Sequence, residues 1–180
     1  MIETVTFANG CFWCTEAIFD RLKGVKSVSS GYTGGKMDNP SYEQVCRGNT
    51  GHAEAAQIEF DPDVITFEKL LEVFWHTHDP TTLNRQGNDI GTQYRSAIFY
   101  HNDEQKRIAE KSKMELEEQH TFKDPIVTEI IPLDEFYAAE DYHKRYYEQN
   151  QDEPYCRFII EPKIQKLLKQ YSNVLNSKHS

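Results

Sequence analysis

The spacing of hydrophobic residues along this chain predicts short strands that alternate with amphipathic helices. Residues 2–8 alternate between apolar and polar side chains, as strands do, and Asn9-Gly10 is a turn signal. Residues 66–77 carry apolar side chains at helical spacing and predict a strong amphipathic helix. The other predicted helices are 12–22, 41–46, 103–119, 139–149 and 162–171, and the other predicted strands are 25–31, 53–60, 94–100 and 126–131.

The order of the first elements indicates the fold class. With the short helix at 41–46 set aside, they follow the order β-α-β-β-α-β, which is the ferredoxin-like, split βαβ arrangement. We therefore expect an α+β fold, a two-layer sandwich with a ferredoxin-like core and additional C-terminal helices. The chain shows no repeat, linker or low-complexity tract, so residues 1–180 are expected to form a single domain with its core in residues 1–160.

Composition and charge narrow the range of partners. The chain has 180 residues, which suits one domain, and its net charge is −9, from 20 Lys and Arg against 29 Asp and Glu. An acidic surface argues against nucleic acid and anionic membrane as main partners. No apolar run approaches the roughly 20 residues that span a bilayer, and the first residues lack the basic region of a signal peptide. We therefore expect a cytoplasmic protein, in which the four cysteines are redox, metal or core residues rather than a structural disulfide framework.

The segment Gly10-Cys11-Phe12-Trp13-Cys14 follows the first predicted strand and opens the first predicted helix. A helix N-terminus favours an anion, so it is expected to lower the pKa of the Cys11 thiol from its usual value of about 8.5. This position favours Cys11 as a nucleophile over a buried, inert cysteine. Adjacent helical positions point about 100° apart, so Phe12 and Trp13 are not expected to serve one core face. At least one of them is expected to form an apolar wall beside Cys11.

The other three cysteines leave several interpretations open. Cys14 completes a Cys-x-x-Cys pair with Cys11, which resembles the thioredoxin redox pattern or half of a zinc site. A zinc site needs two more ligands, whereas Cys46 and Cys156 are isolated in the sequence, which argues against zinc. The residues between the paired cysteines are Phe-Trp, which is unusual for a disulfide exchanger and weakens the thioredoxin interpretation. Cys46 ends an amphipathic stretch and is expected to be packed. Cys156, in the C-terminal segment 150–180, either packs before the apolar run that follows it or moves to form a disulfide with Cys11.

A carboxylate in the third predicted strand is a candidate acid. Glu54 shares a strand face with Ala56, Ile58 and Phe60. Loss of water on such a face raises the pKa of a carboxyl group, and a carboxyl that is protonated near neutral pH is a general acid. The alternative is that Glu54 lies at the strand entrance and faces water, and the sequence leaves the two interpretations level.

Three polar residues near loops are candidates for substrate contacts. Tyr42 and Tyr94 flank the predicted strands, where their hydroxyl groups are available to hydrogen-bond a polar substrate atom. Asp89 lies in the predicted loop 79–93, which is rich in Asp, Asn, Gly and Pro. It either orients a ligand or water or serves only to form a turn. No residue is assigned to a metal.

Long motifs cover most of the chain and occur in the order found in one known family. They are GCFWC at 10–14, GYTGG at 31–35, NPSYEQVC at 39–46, TGHAEA at 50–55, FWHTHDP at 74–80, RQGNDIGTQYRSAIF at 85–99 and FYAAEDYHKRYY at 136–147. On these motifs the chain resembles the A-type peptide methionine sulfoxide reductases, which act on the S epimer of the sulfoxide. Motifs of this length in this order are not explained by chance.

The resemblance implies that the domain is catalytic and gives a role to each matching position. Cys11 would be the nucleophile that attacks the sulfoxide sulfur, and Glu54 would be the acid that protonates the sulfoxide oxygen. Tyr42 and Tyr94 would donate hydrogen bonds to that oxygen. Asp89 would be a polar residue that helps to hold the site.

The resemblance also implies a substrate pocket and a recycling route. Phe12 and Trp13 would receive the methyl group of the substrate. Reduction would leave Cys11 as a sulfenic acid, a second thiol would close a disulfide, and thioredoxin would restore the dithiol. Many members carry a glycine-rich tail with recycling cysteines, whereas this chain has PYCRFIIEPKIQKLL with Cys156 alone. We expect Cys156 to resolve the sulfenic acid, with Cys14 as the competing resolver or relay; no metal or organic cofactor is implied, and the family suggests a monomer.

Three other functions are weighed against this one. A thioredoxin-like disulfide oxidoreductase would use Cys11 and Cys14, but the predicted element order is not the doubly wound thioredoxin pattern. A ferredoxin-like sheet can bind single-stranded RNA, but the charge of −9 and the lack of a basic stripe argue against it. A zinc-structured interaction domain is the third alternative.

Overall fold

The computed structural model describes residues 1–176. Residues 177–180, which end the predicted domain and its C-terminal segment, lie outside the described residues. In chain order the strands and helices are β1 (Glu3–Asn9), α1 (Phe12–Phe19), β2 (Val25–Thr33), α2 (Tyr42–Cys46), β3 (Ala53–Phe60), α3 (Phe67–His76), β4 (Arg85–Gln86), β5 (Asp89–Ile90), β6 (Ser96–Tyr100), α4 (Asp103–Glu118), β7 (Glu129–Pro132), β8 (Phe136–Ala138), α5 (Tyr146–Gln149) and α6 (Glu161–Gln170).

Six strands form one mixed sheet in the order β7-β6-β1-β3-β2-β8, while β4 and β5 form a separate hairpin. The central strands β6, β1, β3 and β2 pair antiparallel with one another, and β7 pairs with β6 in parallel. The predicted α+β class is therefore confirmed. The order of the central four strands is compatible with the predicted ferredoxin-like core.

One face of the sheet carries the main hydrophobic core beneath α1 and α3. On β1, Phe7 lies between Ala56 of β3 and Ile98 of β6 in the strand register. Its ring lies 4.7 Å from Phe74 of α3 and 5.4 Å from Phe19 of α1, measured between ring centroids. This packing fixes α1 on the sheet and sets its first turn near the beginning of β3.

The helix predicted at 139–149 does not form as one element, which corrects that prediction. A 3₁₀ turn covers Asp141–His143, and α5 begins only at Tyr146. Between them Arg145 has φ 52° and ψ 38°, a left-handed conformation that interrupts a right-handed helix. The broken segment packs against α1.

The predicted loop at 79–93 is partly ordered. It contains the β4–β5 hairpin and leads into a 3₁₀ turn at Thr92–Tyr94, so β6 begins at Ser96 rather than at residue 94. Strand β8 is absent from the sequence prediction because it has three residues, paired with Gly31–Thr33, and so short a strand shows no alternating pattern.

The apolar run at 156–160 forms a π-helical turn, Cys156–Ile160, that continues directly into α6. The last predicted helix, 162–171, is therefore longer at its start than the sequence indicates. Among residues 1–176, no helix has both the length and the apolar character needed to cross a membrane.

Candidate active site

Cys11 lies at the junction between β1 and α1, where it caps the helix. Its backbone is extended, with φ −62° and ψ 128°, and its carbonyl accepts hydrogen bonds from the N–H groups of Cys14, at 3.1 Å, and Thr15, at 3.4 Å. The preceding Gly10 has φ +109°, and a Cβ atom there would lie 2.8 Å from Gln86. Only glycine adopts this backbone conformation without strain, so Gly10 fixes the direction in which Cys11 leaves the strand.

Glu54 is buried beneath the first turn of α1. It lies on β3 opposite Tyr32 of β2, and its side chain is 1% exposed. Its Oε1 atom accepts a hydrogen bond from the Phe12 backbone N–H at 3.1 Å, so one of the unpaired amides of the helix start is used to hold the acid. Its Oε2 atom has no hydrogen-bond partner among the described residues. Glu54 therefore faces the interior, and the water-facing alternative is wrong.

Burial raises the pKa of Glu54 to about 8, against opposing effects of the Phe12 amide and the Cys11 thiol. This is the direction that the apolar strand face predicts. The carboxyl is therefore protonated near neutral pH and able to donate a proton.

Burial also raises the pKa of Cys11 well above its usual value, and the charges of Glu54 and Cys14 raise it further. The Trp13 backbone N–H and the Tyr155 hydroxyl act in the opposite direction with smaller effect. The expectation that the helix start lowers this pKa is therefore wrong, because loss of water outweighs the helix terminus. Both Cys11 and Glu54 hold protons before a substrate arrives.

Tyr42 and Tyr94 both lie near enough to Glu54 for its charge to act on their phenol groups. Burial and the nearby Glu54 charge raise the pKa of both phenols, which therefore remain hydrogen-bond donors. Tyr42 is the first residue of α2, where a reciprocal capping box between Ser41 and Gln44 fixes the start of the helix. The structure thus places both predicted tyrosines in the neighbourhood of the predicted acid.

Asp89 lies on β5, where it accepts a hydrogen bond from the Tyr155 hydroxyl at 2.6 Å. Tyr155 also lies close enough to Cys11 and Cys14 to lower the pKa of each thiol. Asp89 therefore does more than form a turn, since it anchors the tyrosine that lies beside both sulfur atoms. The sequence analysis did not single out Tyr155, although it immediately precedes Cys156.

Phe12 and Trp13 converge on the same neighbours rather than diverging. Phe12 is fully buried and its ring lies 5.0 Å from His143, while Trp13 is half-buried and donates its indole N–H to His143 Nδ1 at 2.9 Å. The Trp13 ring stacks on Tyr146 with centroids 3.7 Å apart and planes 8° apart. Both rings also contact Tyr42, at 6.2 Å between centroids. Phe12 is thus a core residue of an aromatic cluster, and Trp13 forms its partly open side.

Three of the cysteines lie together and the fourth lies apart. Cys11, Cys14 and Cys156 are buried in one apolar cluster, and all four cysteines are free thiols. Cys46 is exposed at the end of α2, so the prediction that it is packed is wrong. The inward position in the last turn of this short helix is taken by its neighbour Val45, which is fully buried.

Residues 140–155 also contribute contacts to the site, and no local pattern in the sequence assigns them a role. Glu140 accepts hydrogen bonds from the Tyr32 hydroxyl and from the Tyr42 backbone N–H, both at 2.9 Å. His143 contacts Trp13 as described. Glu140 and His143 belong to the motif FYAAEDYHKRYY. Their contact partners, however, lie about a hundred positions away in the sequence. Local sequence patterns carry no information about such distant contacts. Among residues 1–176, no group of three or more His, Cys, Asp or Glu side chains is arranged to hold a metal ion.

Comparison with known proteins agrees with this geometry. The family model described as peptide methionine sulfoxide reductase matches residues 3–175. This chain belongs to the peptide methionine sulfoxide reductase family. The peptide methionine sulfoxide reductase MsrA of Sulfolobus acidocaldarius is 55% identical over 170 residues, which cover 94% of this chain and 96% of the relative. The MsrA of Trichodesmium erythraeum is 48% identical over 98% of this chain and 100% of its own length, which confirms the A type.

Solved reductase structures have the same fold. The reduced form of Mxr1 from Saccharomyces cerevisiae is 38% identical and has a TM-score of 0.79 over 86% of this chain and 89% of its own. Mxr1 in complex with Trx2 is matched with a TM-score of 0.56 and 28% identity over 81% of this chain and 84% of its own. The family membership disfavours the thioredoxin-like oxidoreductase as the activity of Cys11 and Cys14.

Proposed function

We propose that this protein reduces methionine-S-sulfoxide, free or within oxidised proteins, to methionine, and so repairs oxidised proteins. The observation that carries the proposal is the unpartnered Oε2 atom of Glu54, on a buried carboxyl whose pKa is about 8, next to the Cys11 thiol. A buried polar atom without a partner is costly, so it marks a place where a ligand completes the hydrogen bonding. A sulfoxide oxygen is an acceptor of the right kind for a protonated carboxyl.

The proposed reaction begins with the sulfoxide oxygen bound by protonated Glu54 and by the hydroxyls of Tyr42 and Tyr94. Oxygen protonation makes the sulfur electrophilic, and the Cys11 sulfur attacks it as its own proton passes to the Glu54 carboxylate. The sulfur–oxygen bond of the substrate and the new bond between the two sulfur atoms then break as the hydroxyl group transfers to Cys11, and methionine leaves with its sulfur reduced. Cys11 is then a sulfenic acid, oxidised by two electrons, so atoms and electrons balance.

Recycling requires a second thiol, and we propose Cys156 for this role. Its sulfur is buried in the same apolar cluster as Cys11, and the π-helical turn that carries it is the kind of irregular element found at functional sites. Cys156 attack on the sulfenic acid releases water and closes a disulfide. Cys14 occupies the same cluster and is the competing resolver or relay.

An external dithiol then reduces that disulfide, and we propose thioredoxin as its source. Support comes from the solved complex of Mxr1 with Trx2, which shows that relative bound to such a partner. We also propose that the protein works as a monomer in the cytoplasm, where thiols are kept reduced.

The test is reduction by dithiothreitol of the separated S and R epimers of a methionine sulfoxide peptide. We expect turnover of the S epimer alone and its loss in Cys11→Ser. Turnover of neither epimer by folded, reduced protein would overturn the proposed function. Reduction of insulin disulfides that depends on Cys14 would instead support the disulfide oxidoreductase.

A further inference from the structure

A second buried carboxyl lies on α1, outside the group that carries the proposed chemistry. Glu16 is 7% exposed and has no part in the reaction steps above. A buried carboxyl is costly unless hydrogen bonds satisfy it. The hydrogen-bond partners of Glu16 therefore identify the part of the structure that this side chain holds in place.

Glu16 binds the backbone of the broken segment that precedes α5. Its Oε1 atom accepts a hydrogen bond from the Arg145 N–H at 2.6 Å, and the Tyr146 N–H also favours its charged form. Arg145 is the residue with φ 52°, a strained conformation for a side chain other than glycine. Such a conformation persists only where its surroundings hold it. Glu16 holds the Arg145 backbone, and Asp20 pairs with the Arg145 guanidinium at 3.3 Å.

The segment that Glu16 anchors is the one that contacts Trp13. Tyr146 stacks on one face of the indole, and His143 accepts the indole N–H. Trp13 and Glu16 both belong to α1, so the anchor fixes Tyr146 and His143 in the frame of the helix that carries Trp13.

The segment has other contacts, but there is also space beside it. The Arg145 guanidinium pairs with Asp20 at 3.3 Å, and Tyr147 is buried. A cavity of about 430 Å³ nevertheless lies beside Glu16 and is lined by His143, Arg145 and Tyr147, among other residues. Loss of the hydrogen bonds at Glu16 would therefore leave the Arg145–Tyr146 backbone room to shift relative to Trp13.

We infer that Glu16 is a positioning residue for the reductase site, acting through the Arg145–Tyr146 backbone to orient Trp13 for the substrate. The inference rests on the proposed function. It predicts that the acceptor oxygen of Glu16 matters more than its charge. Burial raises the pKa of Glu16 to about 7, so the uncharged form is already populated at neutral pH, and glutamine should replace it.

The test compares Glu16→Leu, which keeps the volume but removes the acceptor, with Glu16→Gln, which keeps an acceptor. For reduction of a methionine-S-sulfoxide peptide we expect Glu16→Leu to raise KM by about tenfold or more, with a smaller effect on kcat, and to leave Cys11 alkylation unchanged. Glu16→Gln should remain within about twofold of the parent in both constants. Glu104→Leu, which removes an exposed carboxylate on α4, is the matched control and should have no effect.

A second measurement reports Trp13 directly. The chain has two tryptophans, so in a Trp75→Phe background Trp13 is the sole fluorophore. Glu16→Leu should increase acrylamide quenching of Trp13, and Glu16→Gln should not. Should Glu16→Leu fail to fold, Glu16→Asp keeps the charge, withdraws the oxygen by one methylene, and should show the same KM and quenching changes.

The outcomes separate the inference from the function on which it rests. Folded Glu16→Leu with parental KM and quenching would overturn the positioning role. A rise in KM accompanied by equally large falls in kcat and in the rate of Cys11 alkylation would also overturn it, because such changes indicate a general structural role. If the parent reduces no sulfoxide, the proposed function fails, while the quenching measurement still decides whether Glu16 orients Trp13.

Discussion

At the scale of single residues, the protons held by Glu54 and Cys11 govern the chemistry. Burial raises the pKa of each group, and the charge of Glu54 raises that of Cys11 further. A Cys11 thiolate beside a Glu54 carboxylate is therefore the least stable protonation state of the pair. A substrate that accepts the Glu54 proton leaves a carboxylate able to take the Cys11 proton, so attack and protonation are coupled.

The first prediction concerns the replacement Glu54→Gln. Glutamine keeps the size of the side chain and the hydrogen bond from the Phe12 N–H, but it has no acidic proton to give. We expect single-turnover reduction of methionine-S-sulfoxide at neutral pH to slow by about 10²- to 10⁴-fold, the usual contribution of a general acid. Rapid mixing with chemical quench measures this rate.

Dependence on pH provides the control for this prediction. The acid is functional while protonated, so the rate attributed to Glu54 should fall as pH rises through about 8. The folded form binds this proton between the ordinary carboxyl pKa of 4.5 and about 8, so stability relative to Glu54→Gln should also decline with rising pH across that window. A parental rate in Glu54→Gln would exclude Glu54 as the acid.

At the scale of elements, the turn from β1 to α1 sets the geometry of the site. Gly10 turns the chain, Cys11 caps the helix, and the Phe12 N–H holds Glu54 of β3. The strand, the turn and the helix start were predictable because each has a local signal: alternation, Asn-Gly and helical spacing. The pairing with β3 was not local, which is why the orientation of Glu54 stayed open until the sheet was known.

The second prediction concerns Gly10→Ala. The φ of +109° is strained for alanine, and its Cβ would lie 2.8 Å from Gln86. We expect a loss of about 1–3 kcal/mol in the free energy of unfolding, together with slower Cys11 alkylation, because the helix start must shift. Chemical denaturation and a thiol-alkylation time course measure the two effects.

Gly87→Ala is the matched control for the turn. Its φ is +58°, and a Cβ there meets nothing within 4 Å, so only the left-handed backbone cost of about 1 kcal/mol applies. Alkylation of Cys11 should stay unchanged in this variant. Equal effects of the two replacements on alkylation would show that the Gly10 turn does not position the thiol.

At the scale of the whole molecule, the site combines residues from the first third of the chain with residues from its last third. The sequence predicted the α+β class and the order of the first elements along the chain because long segments carry clear periodicity. It missed the contacts of Glu140, His143 and Tyr155, because each depends on how the last third of the chain folds back over α1 and α2. The exposure of Cys46 and the left-handed Arg145 are likewise set by packing and not by local pattern.

The third prediction concerns recycling across these distant segments. We expect Cys156→Ser to keep single-turnover reduction but to lose multiple turnover with thioredoxin, because the sulfenic acid loses its proposed resolving thiol. Peptide mass spectrometry of oxidised parent protein should find a Cys11–Cys156 disulfide. Cys14→Ser is the matched control, since it removes another buried thiol from the same cluster. A dominant Cys11–Cys14 disulfide would contradict the assignment.

The contact between Tyr155 and Asp89 has a consequence for the time at which activity arises during biosynthesis. Cys11 is made well before Tyr155, the tyrosine that lies beside its sulfur. A growing polypeptide on the ribosome thus carries an exposed nucleophile without its surrounding pocket, and it gains the complete site only after Tyr155 has emerged from the exit tunnel. Contacts of such wide sequence separation form late in folding. The nascent thiol is therefore open to oxidants before the enzyme is able to use it.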